Sequence, residues 1–188
     1  MIYRLRFDRF NYLVGDISLR EIKAKMGDYF ALKAPLWIDI WNPVDIQFRD
    51  DSDKKNVVTP PDITCWFTNE LILNKKAYDA LGEKLSSYGE LLPAFCEGIP
   101  YWVLHVTKKT GMEAVDTDAS KRIVEEGGFI DMQTLEFEES VIKDLLIFKT
   151  EFSGYRNIYC TEKFKALIES LGLKGLLFST DLACVKEP

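Results

Sequence analysis

The chain has 188 residues, which is enough for one domain with a full hydrophobic core and leaves little room for a second. It is 47% apolar and 13% aromatic, as globular proteins are, and no apolar run approaches the roughly 18 residues that a membrane helix needs. Thirty acidic and 24 basic residues give a net charge of −6, which disfavours non-specific nucleic-acid binding. We therefore predict a single domain over residues 1–188, with neither a membrane nor a nucleic acid as partner.

The compartment follows from the first residues and the cysteines. The opening MIYRLRFDRF alternates arginine with apolar residues and lacks the continuous apolar stretch of a signal peptide, so we expect a cytoplasmic protein. The four cysteines are scattered, form no CxxC pair and have a single histidine to help them bind metal. We interpret them as buried, reduced thiols, and we predict no metal and no cofactor; they are Cys65, Cys96, Cys160 and Cys184.

The first predicted elements are a strand and a short helix. Residues 2–7 alternate with period two, which predicts a strand with Tyr3, Leu5 and Phe7 inward and Ile2, Arg4 and Arg6 outward. Ser18 and Glu21 have the spacing of a capping box at the start of a helix that ends at Gly27.

The stretch from Tyr29 to Phe48 is rich in aromatic and β-branched residues but is broken by two prolines, which predicts short extended segments around residues 30–33, 35–41 and 45–48. Trp37 and Trp41 can belong to the core, to a lid or to a binding platform, because aromatic side chains serve all three. The following residues, 49–62, are polar and contain two prolines, which is typical of a surface loop.

The remaining pattern alternates strands with two principal helices. We predict strands at 63–67, 101–106, 157–160 and 175–180, principal helices at about 75–88 and 162–172, a short helix at 121–128, and edge or meander strands over 129–150. The strand YWVLHV at 101–106 is apolar on both faces, as a central strand is. The fold class is therefore α+β, with a mixed or mostly antiparallel sheet, the two principal helices packed on it and a short N-terminal helix.

An internal similarity links the two principal helices. A shift of 86 residues aligns Tyr78 with Phe164, Leu81 with Leu167 and Gly89 with Gly175. This pattern indicates either a duplicated strand–helix–strand unit or coincidence, because any two amphipathic helices that end in glycine before an apolar strand align in this way.

The sequence contains no recognisable catalytic constellation. His105 is the obvious general base, but a lone histidine in an apolar strand is more often a hydrogen-bonded core residue. Phosphate-binding glycine loops and a GxSxG motif are absent from the sequence. The acids at Asp50, Asp51 and Asp53 lack the glycine and terminal glutamate of an EF-hand loop. We therefore predict no catalytic residues.

The order of motifs resembles immunity-protein family eleven of bacterial polymorphic toxin systems, formerly a domain of unknown function. The resemblance covers about residues 35–180. It is carried by Trp41-Asn42-Pro43, ELILNKKAYDAL from Glu70, ELLPAF from Glu90, YWVLHV from Tyr101, Asp116-Thr117-Asp118-Ala119-Ser120, and IYCTEKFKALIESLGLKGLLFS from Ile158. The family tends to have Asn where this chain has His105, which argues further against histidine-based chemistry.

The resemblance implies a cytoplasmic protein, encoded beside a secreted toxin, that binds the toxin and neutralises it by occlusion. It implies no enzymatic activity and transfers no contact residues. From charge and aromatic character we predict that the toxin contacts are Asp50, Asp51, Asp53, Asp116, Asp118, Trp37 and Trp41. Two alternatives remain open: a small hydrolase or nuclease-like enzyme that uses acids near His105, and a self-associating structural module.

Overall fold

The computed structural model describes residues 1–27, 36–53, 55–125 and 128–183. The predicted extended segment at 30–33 and the cysteine at 184 lie outside these residues. The described residues contain four α-helices: α1 (Leu19–Met26), α2 (Lys75–Leu85), α3 (Glu139–Ile142) and α4 (Glu162–Ser170). The same residues contain thirteen strands: β1 (Ile2–Phe7), β2 (Val14–Ile17), β3 (Val44–Arg49), β4 (Ile63–Trp66), β5 (Glu70–Asn74), β6 (Gly89–Cys96), β7 (Ile99–Val106), β8 (Lys109–Thr110), β9 (Lys121–Glu125), β10 (Gly128–Thr134), β11 (Ile147–Thr150), β12 (Tyr159–Thr161) and β13 (Leu176–Ser179).

The strands form two large sheets and a ribbon. The first sheet has the order β2-β3-β6-β7-β5-β4, the second has the order β13-β1-β12-β11-β8, and β9 pairs with β10 alone. Each large sheet is mixed, because β3 is parallel to β6 and β11 is parallel to β8, whereas the other pairs are antiparallel. The predicted α+β class is confirmed, with two mixed sheets in place of one.

Two similar units lie at the centre of the fold. In the first sheet, β5, α2 and β6 form a strand–helix–strand unit, and β7 lies between the two strands, antiparallel to both. In the second sheet, β12, α4 and β13 form the same unit, and β1 takes the place of β7. The two helices begin after Asn74 and Thr161. The shift that aligns the two units in the structure is therefore one residue longer than the 86-residue shift of the sequence alignment.

The main core lies between the two sheets. Its buried side chains come from both sheets and from the apolar faces of α2 and α4, whose residues Leu81, Leu85, Phe164 and Ile168 are at most 3% exposed. Amphipathic spacing at i, i+3 and i+4 explains why each helix buries one stripe. A second core covers the far face of the first sheet, where α1 and residues 37–41 pack, and a third covers the far face of the second sheet.

Several predicted details are wrong. Residues 121–125 form a strand because Ile123 and Val124 favour extended structure, and no helix occurs there. Strand β1 buries both faces, since Arg4 is 8% exposed and Ile2 belongs to the third core. The capping box does not form: Ser18 is the N-cap but makes no side-chain cap bond. The meander over 129–150 is interrupted by α3, and the principal helices end at Leu85 and Ser170.

Candidate functional site

His105 lies near the end of the central strand β7, between two glutamates. In the antiparallel pairing it is directly opposite Glu70 on β5 and Glu90 on β6. Residues directly opposite in adjacent strands share one face of the sheet, so the three side chains form a row there. The His105 side chain is 12% exposed and that of Glu70 is 2% exposed. The strand predicted to be central therefore places its histidine in a largely buried, acidic row.

Glu70 is the centre of a buried polar cluster. Its Oε1 lies 3.1 Å from Nζ of Lys149 on β11 and 3.1 Å from Nδ1 of His105. The contact with His105 has an ion-pair distance. Oε2 accepts a hydrogen bond of 3.0 Å from the backbone N–H of Val106. Both carboxylate oxygens are thus engaged by groups of the protein itself.

Lys149 brings a cation from the second sheet to this cluster. Its side chain is 5% exposed. Burial lowers the pKa of Lys149, and the nearby Glu70 carboxylate partly opposes that shift by stabilising the ammonium form. A buried charge is tolerated when it is paired, so Glu70 and Lys149 depend on each other and link β5 of the first sheet to β11 of the second.

Residues 36–41 cover this row from outside. The Trp37 ring stacks on the His105 ring, with 3.7 Å between centroids and an interplanar angle of 11°. The backbone N–H groups of Trp37 and Ile38 donate to the two oxygens of Glu90, at 2.7 and 3.1 Å. Trp41 donates from Nε1 to the Pro93 carbonyl at 2.8 Å. The two tryptophan rings are parallel, with centroids 6.0 Å apart. We call residues 36–41 the clamped segment.

These contacts limit what the row can do chemically. A general base needs an accessible ring nitrogen and a carboxylate that is free to meet a substrate. Here the ring is covered by Trp37, and both glutamates already accept hydrogen bonds from backbone N–H groups. Within the described parts of the chain, no group of three or more His, Cys, Asp and Glu side chains is placed to hold a metal ion. The contacts of the row are those of a structural polar cluster.

The predicted tryptophan contacts are half-buried. Trp37 and Trp41 pack against the second core and are held by the hydrogen bonds described above, so they anchor the clamped segment. Their neighbours Leu36 and Ile38 are the exposed side chains, at 52% and 55%. Of the alternatives that the sequence left open for these tryptophans, the structure supports packing against the core, with apolar neighbours presented to solvent.

The acids of the loop after β3 have different environments. Asp50 accepts hydrogen bonds from the N–H and hydroxyl of Ser52 and from the N–H of Val57. The Ser52 hydroxyl is the main reason that the pKa of Asp50 is lowered. Asp50 therefore shapes its own loop, Asp51 is half-buried, and Asp53 is exposed. Among these three, Asp53 is the acid presented most openly to a partner.

The acids after β8 show the same division. Asp116 is half-buried, and its Oδ1 accepts hydrogen bonds from the N–H groups of Asp118 and Ala119, at 3.0 Å each. This arrangement is an Asx turn, so the Asp116 carboxylate shapes the local backbone. Asp118 itself is exposed. The roles of these residues as toxin contacts remain predictions.

Sequence reasoning did not find Glu70, Glu90 or Lys149. A charged residue at the start of a strand is ordinarily solvated, so nothing local marks Glu70 or Glu90 as buried or engaged. The signal that was present is indirect: Lys149 interrupts the apolar run LLIFKT and is buried in β11, where a lysine requires a partner.

One described cavity lies away from this row. It has a volume of about 490 Å³, and it is lined by residues 133–136 at the end of β10 and residues 180–183 after β13. No described helix is both long and apolar enough to cross a membrane. In comparisons with known proteins, no protein-family model matches this chain, and no curated protein gives a match.

Proposed function

We propose that this protein is an immunity protein that binds a bacterial toxin in the cytoplasm and neutralises it by occlusion. The observation that carries the proposal is the clamped segment, which presents exposed apolar side chains from a backbone that the sheet holds in place. The motif order that resembles an immunity-protein family gives independent support.

The clamped segment has the properties of a preformed recognition element. Ordering a loop at an interface costs free energy, and a loop that is already ordered avoids that cost. Glu90 fixes the backbone of Trp37 and Ile38, and His105 fixes the Trp37 ring. The backbone that carries Ile38 is therefore held in place, as suits an apolar anchor of a tight interface.

The charge of the chain suits a basic toxin. The net charge is −6, and Asp39 within the clamped segment is exposed, as are Asp53 and Asp118. Complementary charges mainly accelerate association and reduce binding to non-cognate partners, and they contribute less to affinity. A basic face on the toxin would thus meet Asp39 beside the apolar anchor.

Co-expression with the toxin gene tests the proposal. Wild-type protein should rescue growth of cells that make the protein encoded by the neighbouring gene, and the two proteins should co-purify. Ile38→Lys should weaken binding by about tenfold or more, the effect of losing an interface anchor. Val141→Lys, a substitution at a side chain of similar exposure (47%) on α3, is the matched control and should bind normally. A wild-type protein that neither binds nor protects would refute the proposal.

The enzymatic alternative is tested at His105. If the histidine reacts, His105→Asn should abolish protection while binding persists. If its role is to support Trp37, the same variant should still protect, because Asn can occupy the strand and the acids around it are engaged elsewhere. Growth rescue and pull-down in parallel separate the two outcomes.

A further inference from the structure

The hairpin of β6 and β7 has two unlike faces. On one face Leu92, Ala94 and Val103 are buried in the second core, each at most 1% exposed. On the other face several apolar side chains are exposed to solvent, because α2 does not cover them. Pro93 is paired with Trp102 and Phe95 with Pro100, so the four lie together on that face. With Tyr78 of α2 they form what we call the hairpin patch: Tyr78, Pro93, Phe95, Pro100 and Trp102.

The hairpin patch is exposed. Phe95 is 38% exposed, Pro93 and Pro100 are exposed, and Tyr78 and Trp102 are half-buried. The neighbouring turn residue Ile99 is 59% exposed. Single exposed apolar residues are ordinary, whereas a contiguous group that includes Trp, Tyr and Phe is typical of a protein interface.

The patch is also held in one conformation. The Tyr78 and Trp102 rings stack with centroids 3.9 Å apart and an interplanar angle of 9°. The two turn residues Glu97 and Gly98 have φ of +51° and +80°, as in the tight two-residue turn that suits the twist of a hairpin. Eight pairs of residues join the two strands. A partner would therefore meet rigid aromatic side chains and would not have to order them.

Acidic side chains flank the patch. Asp45 on β3 is the register partner of Phe95; its side chain is 64% exposed, and its Oδ2 lies 3.8 Å from Nζ of Lys25. Glu97 is exposed in the turn. An apolar centre with an acidic rim matches a basic protein surface.

We propose that the hairpin patch is a docking surface for the basic toxin, in addition to the clamped segment. The inference rests on the proposed function, because it names where the same partner binds. The occupant is a protein with exposed apolar side chains surrounded by lysine and arginine, which would pair with Asp45 and Glu97.

Matched substitutions test this surface. The probe is the purified protein encoded by the neighbouring gene, and affinity is measured by calorimetry or surface plasmon resonance. Phe95→Arg should raise Kd by about tenfold or more, as loss of an aromatic anchor does. Leu171→Arg is the control, because Leu171 has nearly the same exposure (36%) but lies at the end of α4. Asp45→Lys should slow association and reduce its dependence on salt.

Each outcome has one meaning. If wild type binds, Phe95→Arg weakens binding and Leu171→Arg does not, the inference is supported. If wild type binds and Phe95→Arg binds equally well, the inference is refuted while the proposed function stands. If wild type does not bind, the proposed function fails and the inference fails with it. A wild-type homodimer that Phe95→Arg dissociates would show that a second copy covers the patch, which also refutes it. Circular dichroism and thermal melting establish whether each variant folds. If Phe95→Arg does not fold, Phe95→Ser is used to repeat the test.

Discussion

Replacing Glu70 with glutamine should strongly destabilise the protein, because the substitution leaves the ammonium group of Lys149 buried without its carboxylate. Glutamine has nearly the same shape and can still accept the hydrogen bond from the N–H of Val106. The main change is therefore electrostatic. The side chains of Glu70 and Lys149 are only 2% and 5% exposed, so water cannot replace the lost charge.

The magnitude follows from the burial of the pair. Removing one member of a buried ion pair costs about 3–5 kcal/mol. For a chain of this length, each kcal/mol lowers Tm by about 2–4 °C, so Glu70→Gln should lower Tm by roughly 6–20 °C. The double variant Glu70→Gln with Lys149→Met removes both charges, keeps an acceptor for the N–H of Val106, and should be more stable than Glu70→Gln alone, since apolar replacements of buried pairs are often neutral.

The pH dependence gives a second measurement. Burial holds the pKa of Lys149 below its unfolded value, so between those two values the unfolded chain binds more protons and stability rises with pH. Without the Glu70 charge the pKa of Lys149 should fall further, so the pH range over which stability rises should begin at lower pH. We call this range the window. The stability difference between wild type and Glu70→Gln should therefore shrink as pH increases through the window.

Chemical denaturation at several pH values measures these effects. A Glu70→Gln variant as stable as wild type at neutral pH, or a double variant less stable than the single one, would refute the buried-pair argument. A stability difference that grows with pH would show that Lys149 is not the group responsible.

Three further predictions concern parts of the fold away from that pair. Asp62→Ala should cost about 1–3 kcal/mol, because Asp62 accepts hydrogen bonds from Asn74, Lys76 and Lys174 and so joins the two units. Burial raises the pKa of Asp62, but these hydrogen bonds lower it more, so the pKa lies below its usual value. When stability is measured at decreasing pH, the stabilisation by Asp62 should disappear as the pH falls through that lowered pKa. Gly175→Ala should destabilise more than Gly98→Ala in thermal melts: both have positive φ, but a Cβ at Gly175 would meet Pro61 and the Ile63 carbonyl, whereas at Gly98 it meets open space. Burial raises the pKa of the Cys65 thiol to about 12 and that of Cys160 well above its usual value, so in native protein Cys96 should be alkylated before either of them, as peptide mass mapping can show.

Strong periodicity made much of the framework predictable. Strand β1, the central strand β7 and the final strand–helix–strand unit all have unambiguous alternation or helical spacing, and each lies within a few residues of its predicted position. Residues 121–125 were wrongly predicted as a helix because a short apolar pair between charged residues fits either period. The capping box failed for a tertiary reason: the Glu21 carboxylate accepts the N–H of Asp45 and pairs with Lys25 instead.

The candidate site was less predictable than the framework. His105 was recognised, but its surroundings depend on contacts between distant segments, since Glu70 and Lys149 are 79 residues apart. The clamped segment illustrates the same limit, because Glu90 accepts a hydrogen bond from the N–H of Trp37, which is 53 residues away in the chain. Local spacing contains no information about which strands become neighbours. The charges of Glu70 and Lys149 come together only because the two sheets pack against each other.

The exchange of β1 for β7 between the two units has a consequence for the order in which the protein can fold. Strands β5, β6 and β7 and helix α2 are contiguous in the chain, so the first unit is completed by short-range contacts as soon as residues 63–106 have been synthesised. The second unit needs β1, which precedes the first unit in the chain, and β12 and β13, which follow it. Contacts between such distant segments form slowly, because a long loop must close before they stabilise anything. The apolar residues Tyr3 and Leu5 therefore lack their native strand partners until β12 and β13 have left the ribosome.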